Sequence, residues 1–121
     1  MNNQQRGRLG EDQAASLLEK YGYTIIDRNV RSGRWGELDL ICMESGDLVF
    51  VEVKTRRGNS FGNAIEAISI GKKQRLLRAA QHYKLTHPHT PESMRFDVVT
   101  VQLTEHGVIE EIQLYKNIDH G

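Results

Sequence analysis

Residues 36–54 read GELDLICMESGDLVFVEVK. Apolar residues flank the dipeptide Ser45-Gly46 on both sides, which predicts two antiparallel strands joined by a tight turn. A loop of two or four residues centred on this dipeptide pairs Asp39 with Glu52 and Glu37 with Lys54. A slip of the register by two residues would pair Asp39 with Lys54 instead.

Charged side chains are expected to share one face of this hairpin. Because side chains alternate with period two, either register puts Glu37, Asp39, Glu52 and Lys54 on the same face. Two carboxylates directly opposite each other repel, so Asp39 and Glu52 should be more stable with a divalent cation between them. An exposed salt-bridge ladder, with Lys54 paired to Glu37, is the alternative. The apolar face would carry Leu38, Leu40, Val49, Val51 and Val53.

The length of 121 residues predicts a single domain spanning residues 1–121. No secretion signal is visible, and no apolar run approaches the roughly 20 residues that a membrane span needs. The lone Cys42 excludes an intrachain disulfide and fits a reducing compartment. We therefore expect a cytoplasmic protein without a membrane partner.

Charge is segregated along the chain although the formal net charge is zero. Residues 37–53 contain five acids and no bases, whereas residues 54–84 contain eight bases and one acid. A metal-dependent enzyme that acts on a polyanion needs this arrangement, with carboxylates for the cation and bases for the phosphates. Chance segregation in a short chain is the alternative. The candidate nucleic-acid contacts are Arg31, Arg34, Arg56, Arg57, Lys72, Lys73, Arg75 and Arg78.

Residues 5–21 predict a helix whose apolar stripe begins with a carboxylate. Glu11, Ala14, Ala15 and Leu18 fall at i, i+3, i+4 and i+7, and Gly22 ends the helix. Glu11 is either a charge near the helix terminus that the dipole favours or a member of the polar site. Taken alone, the helix favours the dipole interpretation.

The rest of the chain predicts one more helix and three more strands. The arginine-rich loop before the hairpin contains Trp35, which either stacks on a nucleobase or folds back on the core. Asp97 is expected to be a polar residue at a strand edge. The second helix has a basic side that is either a phosphate track or an ordinary solvated face. The elements are a strand at 23–27, the loop at 28–36, a helix at 70–85 and strands at 96–103 and 108–115.

An acidic helix residue, a strand Asp and Glu-x-Lys on the next strand resemble the PD-(D/E)xK nuclease superfamily, particularly its archaeal Holliday-junction resolvase branch. Leu38-Asp39 replaces the Pro-Asp of the name-giving motif, which removes no ligand. The chain is also similar, over residues 7–103, to the bacterial YraN family of endonuclease-like proteins. The strings that carry this similarity are GE at 10–11, RNVR at 28–31, GELDLI at 36–41, VFVEVKTR at 49–56 and FDV at 96–98.

The resemblance implies an α/β fold with a restriction-endonuclease-like core. This core is a central mixed β-sheet of four to five strands flanked by helices, in the order αβββαβ. It also implies that Asp39, Glu52 and the backbone carbonyl of Val53 bind Mg²⁺ or Mn²⁺. Lys54 would position or help deprotonate the attacking water, and Glu11 would act through a metal-bound water or the outer shell. The implied catalytic set is therefore Glu11, Asp39, Glu52 and Lys54.

The function that this family resemblance implies is a metal-dependent endonuclease that hydrolyses phosphodiester bonds in DNA, at branched or otherwise non-duplex structures. One alternative is a nucleic-acid-binding module that keeps the nuclease fold with little or no catalysis. Another is an adaptor for a protein partner. Cleavage of a two-stranded junction needs two sites, so the resolvase resemblance also implies a homodimer.

Overall fold

The computed structural model describes residues 2–58 and 70–118. They form a five-stranded mixed sheet with one helix packed on each face, consistent with the predicted restriction-endonuclease-like core. The strands lie in the order β1-β2-β3-β4-β5, and only β3 and β4 are parallel. The elements are α1 (Asn3–Lys20), β1 (Thr24–Arg31), a short 3-10 helix (Gly33–Trp35), β2 (Glu37–Glu44), β3 (Asp47–Arg57), α2 (Ile70–Thr86), β4 (Met94–Leu103) and β5 (Ile109–Tyr115).

The β2–β3 hairpin has the first of the two predicted registers. Ser45-Gly46 forms a two-residue turn with φ of 52° and 81°, the left-handed conformation that a type I′ turn requires. The antiparallel ladder extends from this turn to Leu40 opposite Val51. Continued by one residue, the same register sets Asp39 opposite Glu52.

Apolar side chains form a core on each face of the sheet. Because side chains alternate along β3, Val49 and Val51 face the core on one side of the sheet and Phe50 faces the core on the other. No helix of the described residues is long and apolar enough to cross a bilayer. The α1-side core includes Ala14, Ala15, Leu18, Leu40, Cys42, Val49, Val51, Val99 and Val101. The α2-side core includes Leu38, Ile41, Leu48, Phe50, Leu76, Ala79, Ala80, Tyr83 and Phe96.

The predicted face of Leu38 is wrong. Leu38 packs in the α2-side core, whereas Leu40 packs in the α1-side core, so the strict alternation of β2 fails between them. The ladder with β3 includes Leu40, and at the next residue the side chain of Asp39, rather than its backbone, accepts the Val53 N–H. Pairing of β2 with β1 continues to Glu37, so the change of face falls where β2 loses one of its two partner strands.

Strand β1 is longer than predicted, and the arginine-rich loop is correspondingly shorter. Arg28 to Arg31, which we assigned to the loop, pair with residues 37–40 of β2. The connection is closed by Ser32, whose backbone N–H donates to the carbonyl of Gly36 at 2.8 Å. The buried Ser32 hydroxyl also donates to the carbonyl of Ala79 in α2 at 2.5 Å. These bonds fix the short 3-10 helix against α2.

Asp97 is a buried structural anchor rather than the polar edge residue that the sequence predicts. It is 1% exposed because β4 is an interior strand of the sheet. Its carboxylate accepts the Tyr23 hydroxyl at 2.6 Å, the Arg95 guanidinium at 3.2 Å and the Asn117 N–H at 2.9 Å. Arg95 also pairs with Asp47 at 2.9 Å. This network joins β3 and β4 to Tyr23, the residue before β1, at the end of the sheet where the β2–β3 turn lies.

Candidate metal centre and nucleic-acid interface

Asp39 lies at the point where β2 leaves the regular ladder. Its carboxylate accepts the backbone N–H of Val53 at 2.9 Å, which fixes it beside β3. Burial and the adjacent negative charge of Glu52 raise the pKa of Asp39 to about 7. A hydrogen bond with Glu52 acts in the same direction. The two predicted acids therefore lie together, and the charge of Glu52 disfavours ionisation of Asp39.

Glu52 is nearly buried, with 8% of its surface exposed. Its carboxylate pairs with the Nζ atom of Lys72, on α2, at 2.7 Å. Burial would lower the pKa of Lys72, but the hydrogen bonds and the charge of Glu52 outweigh it, so the pKa is raised. Lys72 therefore forms an ion pair that is largely shielded from water, although we predicted it only as a phosphate contact.

Lys54 completes the cluster from the same strand as Glu52. Burial and the nearby ammonium group of Lys72 lower the pKa of Lys54, while Glu52 and Asp39 oppose this shift. In the alternative salt-bridge ladder, Lys54 would pair with Glu37 on an exposed face. Lys54 is instead half-buried among site residues, while Glu37 is exposed.

Glu11 reaches this site because α1 approaches β3 closely at Gly10. A Cβ atom at Gly10 would lie 1.9 Å from the hydroxyl oxygen of Thr55, so only glycine permits the contact. Glu11, Asp39 and Lys54 line one cavity of about 320 Å³, and burial raises the pKa of Glu11. Because α1 begins at Asn3, Glu11 lies beyond the first turn, where the dipole acts. The dipole interpretation is therefore wrong.

The donor set fits a hard divalent cation that keeps most of its water. Asp39 and Glu52 would supply two oxygen ligands in a poorly solvated place, and a cation between them would offset the repulsion of the two carboxylates. Among the described residues, no three His, Cys, Asp or Glu side chains come together as a metal-binding group. Mg²⁺ is commonly held by one or two carboxylates with water and substrate oxygens completing its shell. That description matches this pair better than a zinc site.

Arginines surround Trp35 beside α2. The guanidinium carbon of Arg34 lies 4.7 Å from the centre of the indole ring, and that of Arg78 lies 5.6 Å from it. Arg75 donates to the Trp35 carbonyl at 2.7 Å. The ring itself packs against the α2-side core, so of our two interpretations it folds back on the core. These residues, which we call the Trp35 arginine cluster, line a cavity of about 610 Å³.

The remaining basic candidates lie in three places. Lys72 and Lys73 lie near the acidic pair, and Lys73 lines a small cavity together with Asp39 and Glu52. Arg56 shares a polar cavity of about 90 Å³ with Lys54. Arg31 and Arg57 are exposed at the ends of β1 and β3.

Sequence reasoning missed the contact between Lys72 and Glu52. The two residues lie on different elements, β3 and α2, and helical periodicity placed Lys72 only on a basic face. The position of α2 over the sheet, which no local pattern specifies, brings them together. The network around Asp97 was missed for the same reason.

The model of the uncharacterised protein family UPF0102 matches residues 10–101. A UPF0102 protein from Symbiobacterium thermophilum is 50% identical over 115 residues, which is 95% of this chain and 96% of that protein. One from Caldicellulosiruptor saccharolyticus is 40% identical over 117 residues, 97% and 98% of the two chains. One from Frankia alni is 50% identical over 95 residues, 78% of each chain. The matched residues include all four candidate catalytic positions.

Proposed function

The chain belongs to the UPF0102 family, which is the YraN family that its motifs resemble, and we propose that it is a divalent-metal-dependent endonuclease acting on DNA. The observation that carries the proposal is the proximity of Asp39, Glu52 and Lys54, with Glu11 on the adjoining cavity. Two carboxylates beside a lysine whose pKa is lowered are suited to hydrolysis of a phosphodiester bond.

Asp39, Glu52 and the backbone carbonyl of Val53 would hold Mg²⁺ or Mn²⁺. The bound ion would lower the pKa of its water, polarise the phosphoryl oxygen and stabilise the leaving oxygen. Lys54 is placed to hold the attacking water or to stabilise negative charge on the phosphate. Glu11, on the α1 side, would orient water in the cavity that it shares with Asp39 and Lys54. The water oxygen adds to phosphorus as the bond to the 3′ oxygen breaks.

The Trp35 arginine cluster supports a nucleic-acid substrate. Two guanidinium groups lie over the indole ring of Trp35 and a third binds its backbone carbonyl. No described carboxylate forms a salt bridge with any of the three. Arginines with free donors bind phosphates without reading sequence. The other proposed backbone contacts are Arg31, Arg56, Arg57, Lys72 and Lys73. Branched or otherwise non-duplex DNA is the proposed substrate, cut by a homodimer with one site per chain.

A cleavage assay with matched variants tests this proposal. Purified protein with Mg²⁺ or Mn²⁺ is incubated with labelled branched, single-stranded and duplex DNA and with RNA of the same sequences. We expect the wild type to cut non-duplex DNA, and Glu52→Gln or Lys54→Ala to reduce the rate by about 100-fold or more. Glu37→Gln, which changes an exposed carboxylate of the same hairpin, should cut normally. Equal rates for Glu52→Gln and wild type would show that the activity is a contaminant.

A nucleic-acid-binding module with little catalysis is the second candidate. The observation that favours it is the ion pair between Lys72 and Glu52, which already neutralises one of the two acids. This candidate predicts DNA binding that falls with salt, is unchanged by Mg²⁺ or Mn²⁺ and leaves the DNA intact. An adaptor for a protein partner would instead show no salt-sensitive DNA binding.

A further inference from the structure

We propose that Lys72 is an internal counter-ion of the acidic pair, whose ammonium group holds Glu52 until a divalent cation displaces it. This inference rests on the proposed function, because it takes Asp39 and Glu52 to be the ligands of such a cation. It gives Lys72 a positioning role at the metal site, distinct from the phosphate contact that its sequence context suggests.

The contact itself is the first argument. The Nζ atom of Lys72 lies 2.7 Å from the Oε1 atom of Glu52, and the two side chains are 26% and 10% exposed. A carboxylate with so little access to water is costly unless it is neutralised. Lys72 supplies that positive charge when no cation is bound. Its ammonium therefore holds one of the two Glu52 oxygens for which a bound cation would compete.

Charge balance is the second argument. Asp39 and Glu52 carry two negative charges when ionised, and Lys54 and Lys72 carry two positive charges when protonated. A divalent cation brings two further positive charges into a place that water reaches poorly. Two cations cannot both lie at bonding distance from one carboxylate oxygen without strong repulsion. A cation that takes the Oε1 atom of Glu52 therefore requires the Lys72 ammonium to leave.

The packing of α2 allows a cation to replace the Lys72 ammonium at Glu52. Leu76 and Ala80 fix the helix in the α2-side core, so the backbone at Lys72 need not move. The lysine side chain is flexible, carries its charge on a four-carbon stem and is partly exposed here. Rotation of the stem takes the ammonium from Glu52 to solvent or to a phosphate oxygen of a bound nucleic acid. Metal binding would thereby release a cationic group next to the substrate.

Calorimetric titration with Mn²⁺ tests the displacement. We expect Lys72→Met to bind Mn²⁺ at least tenfold more tightly than the wild type, because the ion no longer competes with the ammonium. Lys73→Met is the matched control: it removes the same charge from the next residue, which lines the same small cavity but has no ion pair among the described residues. Lys73→Met should bind within about twofold of wild type, and Lys72→Arg, which keeps the charge, should resemble wild type.

Thermal unfolding, measured first in a chelator and then with Mn²⁺, gives a second readout. Lys72→Met should melt at a lower temperature than wild type in EDTA, and Mn²⁺ should raise its melting temperature by more than that of wild type. Equal Mn²⁺ affinity for wild type and Lys72→Met, or an equal gain in Lys73→Met, would overturn the counter-ion role and leave the proposed function standing. Failure of every variant to bind Mn²⁺ at millimolar concentration would overturn both.

Discussion

Substitution of Asp39 by asparagine should stabilise the metal-free protein at alkaline pH. Burial and the charge of Glu52 raise the pKa of Asp39 from 3.8 to about 7. The folded state therefore binds more protons than the unfolded state between these values, so stability is full below pH 4 and falls as the pH rises through 7. This rise in the pKa of Asp39 corresponds to at most about 4 kcal/mol in the free energy of unfolding. Asparagine removes this loss and can still accept the Val53 N–H through its side-chain oxygen.

The assay is urea unfolding in EDTA at several pH values, followed by the fluorescence of the single tryptophan, Trp35. We expect the free energy of unfolding of wild type to decrease between pH 4 and pH 8, and that of Asp39→Asn to stay nearly level and exceed it at pH 8. Glu37→Gln, at an exposed carboxylate two residues away, should behave as wild type. A level profile for wild type, or an Asp39→Asn protein that is less stable at pH 8, would refute the reasoning.

Three further substitutions test other parts of the structure. Gly10→Ala should cost about 1–3 kcal/mol in chemical unfolding, because its Cβ meets the Thr55 hydroxyl; if Thr55→Ala in the same protein recovers no stability, the close approach of α1 is not the cause. Trp35→Ala should weaken binding of single-stranded DNA by about tenfold in fluorescence anisotropy, since the ring holds two guanidinium groups, and unchanged affinity would remove this cluster from the interface. Asp97→Ala should destabilise the fold by about 3–5 kcal/mol in urea unfolding, because Arg95 loses its fully buried carboxylate and the Tyr23 hydroxyl and Asn117 N–H lose their acceptor; a loss below about 1 kcal/mol would contradict the anchoring role.

Much of the site could be predicted from the sequence because it depends on local rules. The Ser45-Gly46 turn fixes the register, and that register, continued by one residue, sets Asp39 opposite Glu52. The apolar stripe of α1 and the buried side of α2 follow from helical periodicity in the same way. Each of these features is specified by residues that are close in sequence.

The features that the sequence did not predict depend on the ends of ladders and on long-range packing. Leu38 changes face where the β2–β3 ladder ends, and period-two alternation carries no information about where a ladder ends. The close approach of α1 to β3 at Gly10, which brings the predicted Glu11 to the cavity of Asp39 and Lys54, is a contact between distant parts of the chain. The contact between Lys72 and Glu52 depends on how α2 is seated on the sheet. No pattern within a single element contains that information.

The central claim is that Asp39 and Glu52 form a divalent-cation site, and equilibrium binding of Mn²⁺ tests it most directly. Titration of wild type, Glu52→Gln and Glu37→Gln separates loss of a ligand from loss of an acidic charge elsewhere on the hairpin. We predict one Mn²⁺ per chain for wild type and Glu37→Gln, with at least a tenfold loss of affinity in Glu52→Gln. Equal affinities in all three proteins, or no binding by wild type at millimolar Mn²⁺, would contradict the claim.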